Sequence, residues 1–129
     1  MTAAIDAMLE AARHNLKRLT PEQAFAEQVG GALLVDIRPL DQRRRGGEVP
    51  NALAIDRNVL EWRLDPTSPD HIPEATGNAV RVIVLCAEGY ASSLAAASLQ
   101  MLGLVNATDV IGGFRAWHAA GLPVVPVEA

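Results

Sequence analysis

Cys86 is the one cysteine of the chain. It stands where the apolar, β-branched run Arg81–Val82–Ile83–Val84–Leu85 gives way to Ala87–Glu88–Gly89–Tyr90–Ala91 and then Ser92–Ser93. This order reads as strand, tight loop with a glycine, helix start. A loop wrapped over a helix N-terminus turns backbone N–H groups and the positive end of the helix dipole toward its centre. A thiol at the start of such a loop favours its thiolate, the nucleophilic form. The same N–H groups suit a negatively charged persulfide, and Gly89 lets the loop turn inward without a Cβ in the way. Cys86 is therefore the candidate catalytic residue, with Ala87, Glu88, Gly89, Tyr90, Ala91 and Ser92 as the candidate substrate-binding ring. The competing reading makes Cys86 a small core residue at the end of a hydrophobic strand, and the loop alone leaves both open.

A single thiol rules out an internal disulfide, a dithiol–disulfide oxidoreductase and a metal site built on several thiolates. His14, His71 and His118 are scattered, and nothing in their spacing pairs one with Cys86, so no metal and no Cys–His dyad is expected. No cofactor is expected.

The elements that must position this loop follow from the pattern around it. Ala32–Ile37 reads as a strand buried on both faces, as in a parallel sheet. Ala52–Ile55 is a weaker strand candidate, and Ala107–Ile111 is the last, stopped by Gly112–Gly113. Between them lie helical segments. Ala3 to about Lys17 places Ile5, Met8, Leu9, Ala12 and Leu16 on one face. Thr20–Pro21–Glu22–Gln23 is a strong helix start, with a capping threonine, proline at the first helical position and a capping-box glutamine, and the helix ends at Gly30–Gly31. Ser92–Leu102 closes at Gly103, and Phe114–Ala120 closes at Gly121. Asp65–Pro66–Thr67–Ser68–Pro69–Asp70 is a loop. Strands alternating with helices predict an α/β fold with a parallel sheet covered on both faces, and ligands of such sheets bind outside the carboxyl ends of the strands, where Cys86 falls.

The bulk numbers agree. The chain of 129 residues is half hydrophobic and one-fifth charged, a globular balance with room for one core. The expected division is a helical extension over 1–17 and one domain over 18–129. A net charge of −4 offers no field for nucleic acid, and the basic run Arg43–Arg44–Arg45 is too short to change that. The opening segment carries Asp6 and Glu10 and does not read as a signal peptide. No stretch approaches the roughly 18 apolar residues that span a bilayer. A free thiol suits a reducing compartment, and a cytoplasmic protein without membrane association is expected.

Three stretches of the sequence resemble, in order, the signatures of rhodanese-like domains. The first is Leu33–Leu34–Val35–Asp36–Ile37–Arg38–Pro39 with Arg44, Gly46 and Val49–Pro50–Asn51–Ala52. The second is Cys86, Gly89 and Ser92 at the place of the family's active-site loop. The third is Val110–Ile111–Gly112–Gly113–Phe114–Arg115–Ala116–Trp117 with Ala120–Gly121–Leu122–Pro123–Val124. Together they cover roughly residues 18 to 126. The resemblance implies a rhodanese-like fold, a five-stranded parallel sheet with helices on both faces. It implies sulfurtransfer, in which a thiosulfate- or persulfide-type donor gives its sulfane sulfur to Cys86 and an external thiol or cyanide removes it, in two half-reactions.

Departures from the pattern sharpen the expectation. Active members often carry arginine five positions after the cysteine, and here Ala91 stands there. Arginine would bind a small anion bidentately. Glu88 in the ring opposes a thiolate and repels anionic donors. The usual glycine is missing from Val49–Pro50–Asn51–Ala52, and Glu48 stands where histidine is frequent. Thiosulfate activity is accordingly expected to be weak, with a persulfide donor favoured; the alternative is a rhodanese-like binding or regulatory module. A cysteine phosphatase would need arginine where Ser92 stands. Asp36 and Arg38 read as a charged framework pair, and Arg43–Arg45 as a solvated helix face with one member in an ion pair. Trp117 reads as a packing anchor. Trp62 reads as a pocket wall or as packing, Tyr90 as a loop wall, and Arg115 as a side chain that points either toward the loop or away from it.

Overall fold

The computed structural model describes residues 3–127. Residues 1–2 and 128–129, the outer ends of the expected extension and domain, lie outside the described residues. Four parallel strands form one sheet in the order β2-β1-β3-β4: β1 is Leu33–Asp36, β2 Leu53–Ala54, β3 Val82–Leu85 and β4 Thr108–Asp109. The two central strands pair over their full length, Leu33 beside Val82 and Asp36 beside Leu85. Both are wholly or nearly buried, which is why their sequences run apolar without alternation.

Alternate side chains of the central strands enter two cores on opposite faces of the sheet. Val35, Val82 and Val84 join Leu60, Leu64, Ala95, Ala96 and Leu99 on one face. Leu34, Ile83 and Leu85 join Ala24, Phe114 and Trp117 on the other. The first face is covered by α4 (Leu60–Leu64) and α5 (Ala91–Met101), the second by α2 (Pro21–Val29) and α6 (Gly113–Ala119). Helix α1 (Ala4–Arg13) packs on the outer side of α5. The Thr20 capping box is fully formed, hydroxyl to Gln23 N–H and Gln23 side chain to Thr20 N–H. Trp117 is fully buried, donates from Nε1 to the Pro123 carbonyl at 3.0 Å and meets Phe25 edge-on.

Three expectations need correction. The sheet has four strands rather than five among the described residues. A fifth chain does reach its edge, since Leu19 bridges Val110 in parallel. The contact stops after one residue because Thr20 and Pro21 start α2 at once, and proline has no N–H for a ladder. The first helix ends at Arg13 rather than near Lys17, and of its apolar face Leu9 is buried while Ile5 and Met8 are exposed. The segment 56–64, for which no element was read, holds a 3-10 turn (Arg57–Val59) and α4, while the helix face read at Arg43–Arg45 forms as α3 (Leu40–Gly46). The absent glycine in the turn after α3 is accommodated by Asn51, which takes φ +66°; asparagine is the side chain that best tolerates this region.

Candidate active site

The Cys86 loop leaves β3 at its carboxyl end and enters α5 at Ala91. Cys86 is buried, and its Sγ accepts hydrogen bonds from the Gly89 N–H at 3.1 Å and the Ser92 N–H at 3.4 Å. The second of these belongs to the first turn of α5. The sulfur therefore sits inside a ring of main-chain donors, with the positive end of an 11-residue helix behind it.

Two glycines make the ring possible. Gly89 has φ +86°, and a Cβ there would come within 2.7 Å of the Gly112 nitrogen. Gly113, at φ +60°, lies so close that a Cβ would strike the Cys86 carbonyl and approach Gly89 N to 2.7 Å. The loop is thus pressed against the start of α6, which also captures it: Phe114 N–H donates to the Cys86 carbonyl at 2.8 Å and Arg115 N–H to the Ala87 carbonyl at 3.0 Å.

A cleft of about 520 Å³ opens over the sulfur, lined by Ile37, Arg38, Pro39, Gln42, Arg57 and the loop residues Cys86, Ala87, Glu88, Tyr90 and Ala91. Of the expected ring, Gly89 and Ser92 act through their backbone, and both are buried. Ala87 borders the cleft, and Tyr90 and Ala91 are exposed at its mouth. The Glu88 side chain borders the cleft, is about half exposed and lies 3.6 Å from Arg115. Of the two directions open to Arg115, its side chain takes the one toward the loop.

Charges elsewhere divide between frame and cleft. Arg38 is buried, forks onto Asp36, donates to the Gly47 carbonyl and lies 3.8 Å over the Phe114 ring. It and Asp36 form the expected framework pair, and Arg43 pairs with Glu48. Arg57 borders the cleft but gives Nη1 to both oxygens of Glu61, at 2.8 and 2.9 Å. Glu61 also accepts the Ser98 hydroxyl at 2.6 Å. Burial pushes the Glu61 carboxyl upward, yet its bonds to Ser98, its own N–H and Arg57 together hold it below the ordinary 4.5. Trp62 is exposed and away from the cleft.

Sequence reading passed over the groups beneath the loop. Asp109, fully buried, accepts the hydroxyls of Ser92 and Ser93 at 2.7 Å each and is forked by Arg18 at 2.9 and 3.2 Å. Arg13 and Arg18 reach the Gly89 carbonyl. These residues lie 71 to 91 positions from their partners, and no local spacing signals them. Among the described residues no group of three or more His, Cys, Asp or Glu side chains is placed to hold a metal, and no helix is long and apolar enough to cross a membrane.

Comparison with known proteins agrees with this geometry. Residues 20–120 match the Rhodanese-like domain family. The chain is 34% identical over 103 residues to thiosulfate sulfurtransferase GlpE of Pseudomonas entomophila, covering 80% of this chain and 85% of that one. A solved structure from Rhodopseudomonas palustris, described as a protein of unknown function and possible tyrosine phosphatase, superposes with a TM-score of 0.86 at 34% identity, covering 97% and 96% of the two chains. The polysulfide-sulfur transferase homodimer of Wolinella succinogenes shares the fold, with a TM-score of 0.73 at 23% identity over 95% and 88% of the chains. With a cysteine cradled at the carboxyl end of a parallel sheet, and with most of its length matched, this chain belongs to the rhodanese-like domain family.

Proposed function

We propose that the protein is a sulfurtransferase that carries sulfane sulfur as a Cys86 persulfide. The observation that carries this reading is the pair of N–H groups, from Gly89 and Ser92, aimed at Cys86 Sγ at the start of α5. The thiolate attacks the terminal sulfur of the donor, and the donor's S–S bond breaks. The leaving group takes the electron pair: sulfite from thiosulfate, or a thiolate from a persulfide. The new Cys86–S–S⁻ is an anion, and main-chain donors fixed in a ring need no reorganisation to receive it. An external thiolate or cyanide then attacks the outer sulfur and regenerates the Cys86 thiolate. With one cysteine in the chain, the acceptor is another molecule.

A persulfide donor is favoured over thiosulfate. The loop has Ala91 in place of an arginine fork, Arg38 is committed to Asp36, and Arg57 is paired through Nη1 with Glu61. The cleft therefore has no guanidinium without a carboxylate partner to neutralise a sulfonate. The same lack argues against phosphoryl chemistry, because Arg13 and Arg18 are directed at the Gly89 carbonyl behind the ring. On this reading residues 18–129 form the sulfur-carrying domain, residues 1–17 are an appended helix, and the protein works in a reducing compartment such as the cytoplasm.

The test is intact-mass analysis after exposure to thiosulfate and, separately, to a persulfide donor, with Cys86→Ser as control. One added sulfur that requires Cys86 and is removed by cyanide or a thiol supports the carrier. No uptake from any donor by a well-folded protein overturns it in favour of a binding or regulatory module, and strong thiosulfate turnover overturns the donor preference.

A further inference from the structure

Two arginines from the N-terminal end of the chain meet at one carbonyl of the Cys86 loop. Arg13, in the last turn of α1, donates from Nη2 to the Gly89 carbonyl at 2.8 Å, and Arg18, in the connection to α2, donates from its own Nη2 to the same oxygen at 2.9 Å. Each is anchored again, Arg13 through Nε to the Ser93 hydroxyl and Arg18 through Nε to Asp109, both at 2.9 Å. Both residues precede the stretch 20–120 that matches the family.

We propose that Arg13 and Arg18 are positioning residues for Cys86, which orient the Gly89–Tyr90 peptide and supply from behind the loop the positive charge that Ala91 does not supply from within it. The inference rests on the sulfur-carrier reading and assigns two further residues to that site.

The orientation argument follows from the planar trans peptide, whose C=O and N–H point opposite ways. Drawing the Gly89 carbonyl toward the arginines turns the Tyr90 N–H away from them and fixes the stretch between Gly89 and Ser92, whose own N–H groups reach Sγ. Gly89 sits at φ +86° with no Cβ to restrict it, so the peptide flips easily unless it is held. The clamp removes that freedom.

The charge argument follows from the count of ionic groups. Arg18 pairs with the buried carboxylate of Asp109, while Arg13 reaches the Gly89 carbonyl and the Ser93 hydroxyl and forms no ion pair among the described residues, which leaves one positive charge against the rear of the loop. Glu88 and Arg115 pair with each other. The surplus favours an anion on the sulfur, yet the donors turned to the loop, Nε and Nη2 of each arginine, are taken by Gly89, Ser93 and Asp109. It stabilises a bound persulfide without offering a small oxyanion a fork.

Alkylation of Cys86 by neutral iodoacetamide at fixed pH tests the clamp independently of sulfur transfer. Arg13→Gln is expected to slow alkylation about tenfold, the worth of one charge-assisted hydrogen bond, and to lower persulfide loading in the intact-mass assay. Arg13→Lys, which keeps the charge, is expected to restore most of the rate. A loop that is merely loosened exposes the thiol and speeds alkylation, so the direction separates the two roles. The combined Arg18→Gln and Asp109→Asn variant removes the second arginine without leaving a buried charge unpaired and keeps the surplus charge of Arg13, so it reads the orientation effect alone and is expected to slow alkylation by less than Arg13→Gln does. Unchanged or faster alkylation in Arg13→Gln, with the urea midpoint unchanged, overturns the clamp. Absence of sulfur uptake by the wild type overturns the carrier reading alone, because the alkylation rates still report on the clamp.

Discussion

The hydroxyl of Ser92 donates to Asp109 Oδ2 at 2.7 Å, while the N–H of the same serine points at Cys86 Sγ. Through this one residue the edge strand β4 is tied to the sulfur-binding ring. Asp109 is fully buried and satisfied by Ser92, Ser93 and Arg18 together, so it acts as the post on which the loop stands. Removing it leaves Arg18 without its partner. Asp109→Ala is expected to cost about 3–5 kcal/mol of stability, as for a broken buried pair, and Ser92→Ala only about 1 kcal/mol. Urea unfolding of the two variants checks the order.

Gly89 is expected to be intolerant of any side chain. Its φ of +86° and the 2.7 Å approach to the Gly112 nitrogen mean that Gly89→Ala must displace either the loop or the start of α6. The strain falls on the ring, while the hydrophobic cores lie away from it. Sulfur loading should therefore be lost with far-ultraviolet circular dichroism retained. Full loading by a folded Gly89→Ala protein would show that the ring need not close.

Ala91 is exposed and borders the cleft, so an arginine fits there without disturbing the core. Ala91→Arg is expected to lower the KM for thiosulfate about tenfold by adding a bidentate anion contact. Turnover with a persulfide donor should change less. Steady-state kinetics with both donors measure the contrast.

Acid should weaken the contact that fastens α4 to α5. The Glu61 carboxyl is held below 4.5 in the folded protein because its bonds to Ser98, its own N–H and Arg57 outweigh the effect of burial. A carboxyl lowered on folding adds stability above its unfolded value, and that stability is lost as pH falls through the lower folded value. As pH falls through and below 4.5, the wild type is expected to lose more of its urea midpoint than Glu61→Gln. Parallel curves for the two proteins would contradict this.

Much of the architecture was legible in the residues because it rests on local chemistry. The Thr20–Gln23 capping box, the glycine stops and the unbroken apolar run of β3 each act within a few positions, and each forms as read. The extent of elements shorter than their own pattern was not legible. Helix α4 has five residues and no side-chain cap, so packing rather than propensity makes it; β2 and β4 were read as longer runs and keep two residues each.

By itself the sequence determined the parallel α/β order, the place of Cys86 at the carboxyl end of β3 and the glycines that let the loop close, since these follow from periodicity and backbone freedom. Only the tertiary structure decided that Glu88 pairs with Arg115, that Arg57 pairs with Glu61, and that Arg13 and Arg18 converge on Gly89 from more than 70 residues away. The direction of a long side chain, and the partner that neutralises it, depend on which distant segments the fold brings together, and no spacing along the chain carries that information.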